Sequence, residues 1–314
     1  MMRIWIDTDI GTDVDDALTL AYTLRHPGFE LVGISTVFGD VDLRSDLAIA
    51  LLEKSGVPEH REIPVVTGLG VPISPHRHGL MFGHEGKGLL EAPDPKRQIK
   101  EEPDANAKVN RMAEALEAAQ PDVVLAIGPL TNLGALLNAG ITLPQLAIMG
   151  GKLQDVMLPG MVPDISEWNW FCDPVSVQVV LAAKHATLPR VIPAEVTFKT
   201  RLAEGDVSLL AEGDALAQAL SKLSTIWLEV QRTMIGAKTP QVALHDPLTA
   251  ATLVEPGLCH FEERRIEVDD AGASQPASGP DNIKAAIDVD NQALRDHLMD
   301  TWLGRNRSSE RIGR

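Results

Sequence analysis

"RIWIDTDIGTDVDDALTL", residues 3–20, is the stretch on which the fold turns. Its first five residues are an apolar run of strand length, the residues from Asp16 onward have helical spacing, and five aspartates (Asp7, Asp9, Asp13, Asp15, Asp16) surround Gly11 between them. A strand feeding a helix through a polar turn is the first half of a βαβ unit. Ligands of such units bind beyond the carboxyl ends of the strands, so Asp7 and Asp9 stand where a ligand would. Gly11 can take positive φ and bring the backbone close to it. Asp15 and Asp16 fall in the first helical turn, where the helix dipole favours carboxylates. Two aspartates here would ordinarily be a helix cap with extra surface charge. Five packed together repel one another, and a cation is their natural partner. An all-oxygen donor set suits Ca²⁺ or Mg²⁺ better than zinc. Within the set, Asp7 is expected to bond loop amides and Asp13 to be solvated.

Outward from this stretch the rhythm repeats. A helix from Asp16 to His26 leads to the strand "ELVGISTVFGD" (30–40), a helix runs from Leu43 to Ser55, and further apolar runs follow at 63–70, 122–132 and 143–151, with a helix at 108–119. Alternating strands and helices predict an open, mostly parallel α/β sheet flanked by helices, with a Rossmann-like core. Residues 75–103 are rich in Gly, Pro and His and read as a long loop over the site. The spacing from Asp214 to Met234 is helical, and "RRIEVDD" with "IKAAIDVD" reads as a hairpin. A single domain is expected over 1–304, followed by a polar tail at 305–314.

Composition narrows the function. The chain has 314 residues, 44% of them apolar, and a formal net charge of −16. That charge disfavours nucleic acid and acidic membrane surfaces as partners. A small neutral or cationic ligand, or a metal, fits instead. Two cysteines, Cys172 and Cys259, make no disulfide framework. Neither a signal-peptide pattern nor an apolar run of membrane-spanning length is present, so the expected location is cytoplasmic.

Polar groups recur at the other strand ends: Gly39-Asp40, "GPLTN" (128–132) and Gly150-Gly151, joined by "EWNWFCDP" (167–174) and "LHDPLTAA" (244–251). A lone His-Asp pair such as His245-Asp246 is ordinarily a cap, but a parallel sheet would bring all of these segments together. In this order, with "TGLGVPI" and "GHEGKGL", they resemble the inosine–uridine-preferring nucleoside hydrolase family from Ile4 to about Leu303. The resemblance implies a homodimer or homotetramer that holds one Ca²⁺ and splits the N-glycosidic bond of ribonucleosides. Asp9, Asp16, the main-chain carbonyl of Thr131 and Asp246 would be the metal ligands. Asp9 would also take a proton from the water that the metal binds. Asp15, Asp40, Glu167 and Asn169 would hold the ribose hydroxyls, His245 would lie near the leaving base, and His84 matches a family position near the substrate.

Three departures stand out. The opening is two residues longer than the common DxDPGxDDA form, so that Asp13 competes with Asp15 for its role. Asp40 replaces a frequent asparagine, and Met161 stands where another asparagine is often found.

The chemistry suits such a site. Ribosidic cleavage passes through an oxocarbenium-like sugar, which needs a nucleophile on one face and help for the leaving group on the other. A bound cation lowers the pKa of its water, and His245, titrating near neutrality, is the candidate acid. Trp168 and Trp170 either stack on a base or belong to the core, Trp227 reads as core, and Cys172 as inert. Two competing functions use the same residues: a DxD-type phosphatase, and a catalytically silent Ca²⁺-dependent binder of nucleoside or ribose. "GLG", "GHEGKG" and the absence of G-x-S-x-G exclude dinucleotide, phosphate-loop and serine-hydrolase readings.

Overall fold

The computed structural model describes residues 1–90, 104–158 and 165–305. Part of the long loop (91–103), Met161 and nearly all of the tail (306–314) therefore lie outside the described residues.

The strands in chain order are β1 (Met2–Thr8), β2 (Phe29–Thr36), β3 (Val65–Thr67), β4 (Val123–Ala126), β5 (Gln145–Met149), β6 (Arg190–Ile192), β7 (Arg201–Leu202), β8 (Val242–Ala243), β9 (Cys259–Arg264), β10 (Ile266–Val268), β11 (Ser274–Pro276) and β12 (Ile283–Val289). Eight of them form one sheet in the order β3-β2-β1-β4-β5-β6-β12-β9, parallel throughout except for the antiparallel β12–β9 pair. The expected open, mostly parallel α/β sheet is what forms.

Burial on both faces explains the strand sequences. Ile4 and Ile6 point into one apolar layer with the helices Asp15–Arg25, Val41–Lys54 and His245–Val254, whereas Trp5 points into the other with Ala105–Ala119, Thr131–Asn138 and Pro174–Ala182. A parallel strand covered by helices on both sides needs apolar residues at every position, not at alternate ones.

The order of the strands places the site. The chain runs outward from β1 through β2 to β3, then returns to the other side of β1 with β4 and continues outward. The reversal lies between β1 and β4, and the crevice beyond the carboxyl ends of strands at such a point is where open α/β sheets bind ligands. Asp7 pairs with Ala126 across this boundary, so the aspartate loop and "GPLTN" leave the sheet side by side.

The expected hairpin is corrected. β10, from "RRIEVDD", pairs with β11, whereas β12 pairs with β9 and β6. The Asn282 side chain accepts from the Ile266 amide and donates to the Ile266 carbonyl, both at 3.0 Å, and so seals β10 against the start of β12. Among the described residues no helix is long and apolar enough to cross a membrane.

Candidate active site

Asp7, next to last in β1, is fully buried, and its partners are side chains, not the loop amides expected. Trp5 Nε1 donates to Ser35 Oγ (2.9 Å), Ser35 Oγ donates to Asp7 Oδ1 (2.5 Å), and Asn132 Nδ2 donates to the same oxygen (2.7 Å). Burial pushes the Asp7 carboxyl up to about 7. Asn132 also accepts from the Leu69 amide (2.8 Å) and donates to the Thr36 carbonyl (3.1 Å), so one amide ties β1, β2 and the loop after β3 together. Asp7 and Asn132 are thus the frame of the site.

The remaining aspartates line the crevice. Asp9, Asp15, Asp16 and Asp246 are all buried, and carboxylate oxygens of Asp15, Asp16 and Asp246 lie within 4.8 Å of one another. Asp16 accepts from the Thr8 hydroxyl. Gly128, first residue of "GPLTN", is required by Asp9: a Cβ there would stand 3.0 Å from both the Asp9 amide and its Oδ1. Burial, and then mutual repulsion, hold the Asp15, Asp16 and Asp246 carboxyls well above the usual range. Burial raises Asp9 too, against the pull of Arg44. Four buried carboxyls competing for protons in one crevice are short of positive charge, and a hard cation with oxygen ligands supplies it. The residues present fit calcium.

Asp13 is half-buried rather than solvated. Burial first, then repulsion from Asp16 and Asp9, push it up to about 8, and its carboxylate comes within 4.8 Å of Asp15 and a His245 ring nitrogen. Thr131 begins the helix after β4, its hydroxyl donating to Asp173 (2.7 Å).

The residues expected around the sugar do structural work as well. Asp40 caps the Val41–Lys54 helix, accepting from the Leu43 amide at 3.0 Å. Glu167 caps the Trp168–Cys172 helix, accepting from the amides of Asn169 (2.8 Å), Trp170 (2.9 Å) and Gly151 (2.9 Å). Burial raises its carboxyl while these bonds oppose the rise. Asn169 donates weakly to the Ile127 and Met149 carbonyls, both at 3.3 Å, which aims it at the ends of β4 and β5.

Two histidines flank the crevice. His84 is buried, and its Nε2 donates to the Thr12 carbonyl (2.7 Å). A carbonyl only accepts, so Nε2 carries a proton, and Nδ1 is left without a partner among the described residues. Its ring stacks on Trp227 at 6.0 Å, and both line a cavity beside Asp13. Trp227 packs on the core, as expected, but also walls that cavity. His245 is half-buried, with Nδ1 2.7 Å from the Thr197 hydroxyl and Phe198 edge-on at 4.7 Å. Burial takes its ring down to about 4, below the near-neutral range that the sequence suggests. Trp170 is core, filling the space that Gly150 and Gly151 leave open, whereas Trp168 is half-buried between Phe38 and Phe82.

Asp173, which the sequence places with Glu167 and Asn169 among the polar groups of the site, is a structural anchor instead: it is fully buried and accepts from six donors of Ile73, Ser74, Thr131 and Ser176. One residue escaped the sequence reading. Arg44 is buried against the aspartate loop. Its signal was a charge one turn before Leu47 and Ala48 on the buried stripe of its helix.

Comparisons with known proteins place the chain in a family. The sequence profile described as inosine-uridine preferring nucleoside hydrolase matches residues 4–296. The pyrimidine-specific ribonucleoside hydrolase RihA of Salmonella typhimurium is 28% identical, covering 95% of this chain and 97% of its own. Uridine nucleosidase 1 of Arabidopsis thaliana is 26% identical over 86% and 79%. The solved plant nucleoside hydrolase PpNRh1 superposes with a TM-score of 0.78 at 22% identity, covering 96% and 99% of the two chains, which is a likeness of fold. By the match along nearly its whole length, this chain belongs to the inosine-uridine preferring nucleoside hydrolase family and is a hydrolase of N-glycosyl compounds.

Proposed function

We propose that the chain splits the N-glycosidic bond of ribonucleosides into free base and ribose in the crevice beyond β1 and β4, with calcium held by Asp9, Asp16, Asp246 and the Thr131 carbonyl. The observation that carries this reading is the buried set Asp15, Asp16 and Asp246, with oxygens within 4.8 Å and carboxyls starved of positive charge. Calcium, when bound, supplies the charge that acidifies a water.

The chain's own residues do the rest. Asp9 takes the proton of the attacking water. Asp15, Asp40 and Asn169 hold ribose hydroxyls, and Glu167 joins them through the acceptor capacity that its three amide bonds leave. The ring of acidic groups favours the positive charge that develops on the sugar as the bond stretches. His245 meets the leaving base as a hydrogen-bonding imidazole, and His84 turns its unpaired Nδ1 to the base.

The test is release of reducing sugar from a panel of purine and pyrimidine nucleosides, wild type against Asp9→Ala, with metal analysis of both. We expect ribose release and about one calcium per chain in the wild type, and at least a 10²-fold lower turnover in the variant, the usual scale for a lost general base. Calcium bound with no sugar released from any nucleoside would favour the silent binder instead.

A further inference from the structure

Arg44 is 1% exposed, and its guanidinium points not to a carboxylate but to main-chain oxygens. Nε donates to the Phe38 carbonyl (2.6 Å), one terminal nitrogen donates to the carbonyls of Ile10 (2.9 Å) and Asp9, and the other reaches the Thr12 hydroxyl at 3.4 Å. Phe38 lies two residues before Asp40, and the Arg44 amide donates to the Asp40 carbonyl at 3.0 Å. One side chain therefore grips the loop that carries Asp9 and the loop that carries Asp40. Thr12, in the lengthened opening, passes the connection on, since its carbonyl receives His84 Nε2.

We infer that Arg44 is a positioning residue: it staples the Asp9 loop to the Asp40 loop and sets the separation of the two carboxylates before cation or substrate arrives. The inference rests on the hydrolase reading above.

Three physical points carry it. Burying a guanidinium is expensive, and a purely architectural contact between two loops would be met more cheaply by apolar packing. The guanidinium fork is planar and rigid, so bonds to carbonyls of both loops at once fix their relative angle as well as their distance; a lysine ammonium, a point charge on a flexible stem, cannot do this. The charge also lies at the site itself, since the fork that holds the Asp9 and Ile10 carbonyls fixes a positive group beside the aspartate turn. Arg44 thus supplies part of the positive charge that the crevice lacks.

The experiment compares wild type, Arg44→Lys and Arg44→Gln by calcium affinity from calorimetry, by kcat and KM on whichever nucleoside the wild type splits, and by thermal melting, with rates counted per folded molecule. Arg44→Lys keeps the charge and loses the fork; if it does not fold, Arg44→Gln is read the same way. We expect a folded Arg44→Lys with calcium affinity about tenfold weaker and kcat lowered about 10–10²-fold, the scale of a small misplacement of reacting groups, and with KM changed by less. In Arg44→Ala, added guanidinium should restore part of the lost kcat. A folded Arg44→Lys within twofold of wild type in both kcat and calcium affinity would overturn the inference, as would losses that vanish once counted per folded molecule. A wild type that binds calcium but splits no nucleoside overturns the hydrolase reading while leaving Arg44 to be judged on calcium affinity. A wild type that does neither overturns both.

Discussion

Asp173 and Asp246 are both aspartates followed by proline, and both are buried, yet they do opposite things. Asp173 accepts from the amides of Ile73, Ser74 and Ser176 and from the hydroxyls of Ser74, Thr131 and Ser176, at 2.6–3.2 Å. It spends its charge on donors and holds the loop after β3 against two helix starts. Asp246 faces Asp15, Asp16, Asp9 and Asp13 and is starved of positive charge. The difference lies in what surrounds each carboxylate: loop residues such as Ile73 and Ser74 around Asp173, the opening turn of the chain around Asp246, both far away in sequence and so not readable locally. Asp173→Ala should leave several buried donors without partners, at 1–3 kcal/mol for each unmatched group less what water recovers, hence a net loss of roughly 3–5 kcal/mol. A urea midpoint unchanged from wild type would show that the six bonds hold nothing in place.

Elements were legible where their signal was local. The helices expected at 16–26, 43–55 and 108–119 form as Asp15–Arg25, Val41–Lys54 and Ala105–Ala119, because apolar spacing and caps act within a few residues. The helix expected from 214 to 234 runs Ala215–Val230 before a π turn. Partner choice between strands is not local. "RRIEVDD" and "IKAAIDVD" both read as strands, but beyond the Arg264–Ile283 pair they part: β12 runs between β9 and β6, Asn282 bonds Ile266, and β10 turns to β11. Helix ends meet in an equally non-local way. His26, His297 and Tyr22 pack together from the first and last helices, with Glu255 from the end of the helix that starts at His245. Tyr22 Oη lies 2.7 Å from His297 Nε2, and the Gly28 amide donates to His26 Nδ1. Burial lowers both histidines, repulsion from His297 adds to this at His26, and Glu255 opposes it at both, joined by Asp300 at His297. With folded pKa values below the ordinary 6.5, the unfolded chain takes up protons first as pH falls. This part of the stability is complete above about pH 6.5 and is lost as pH falls through it toward the folded values. Melting curves from pH 7.5 to 5 should show a shallower loss in the double variant His26→Asn/His297→Gln than in wild type; parallel curves would remove the cluster as the cause.

At the scale of the molecule, the alternation of strands and helices was enough for the fold class, and the reversal of strand order between β1 and β4 explains why segments far apart in the chain converge on one crevice. The aspartate cluster was legible because it sits in one turn, whereas the frame that holds it, Asn132, Asp173 and Arg44, is built from contacts between loops. This architecture has a thermodynamic consequence for the whole chain. Asp15, Asp16 and Asp246 have folded pKa values above those of free carboxylates, so the unfolded chain releases these protons first as pH rises. The metal-free protein is therefore expected to lose stability as pH climbs from the ordinary carboxylate range into the raised one, the reverse of the histidine effect. A cation bound only by the folded state should cancel this loss and add RT ln(1 + [L]/Kd), about 2.7 kcal/mol at a hundredfold excess over Kd. Melting of chelator-treated protein at pH 7.5, with and without calcium, should thus differ by several degrees. The shift should persist in 1 M NaCl, which screens the exposed part of the net charge of −16 but not a buried cluster. Asp16→Asn should melt higher than wild type without metal, because a repelling charge is gone, and should gain little from calcium. If calcium raises the melting temperature of wild type and Asp16→Asn equally, the ion is acting elsewhere on the acidic surface and the crevice is not its site.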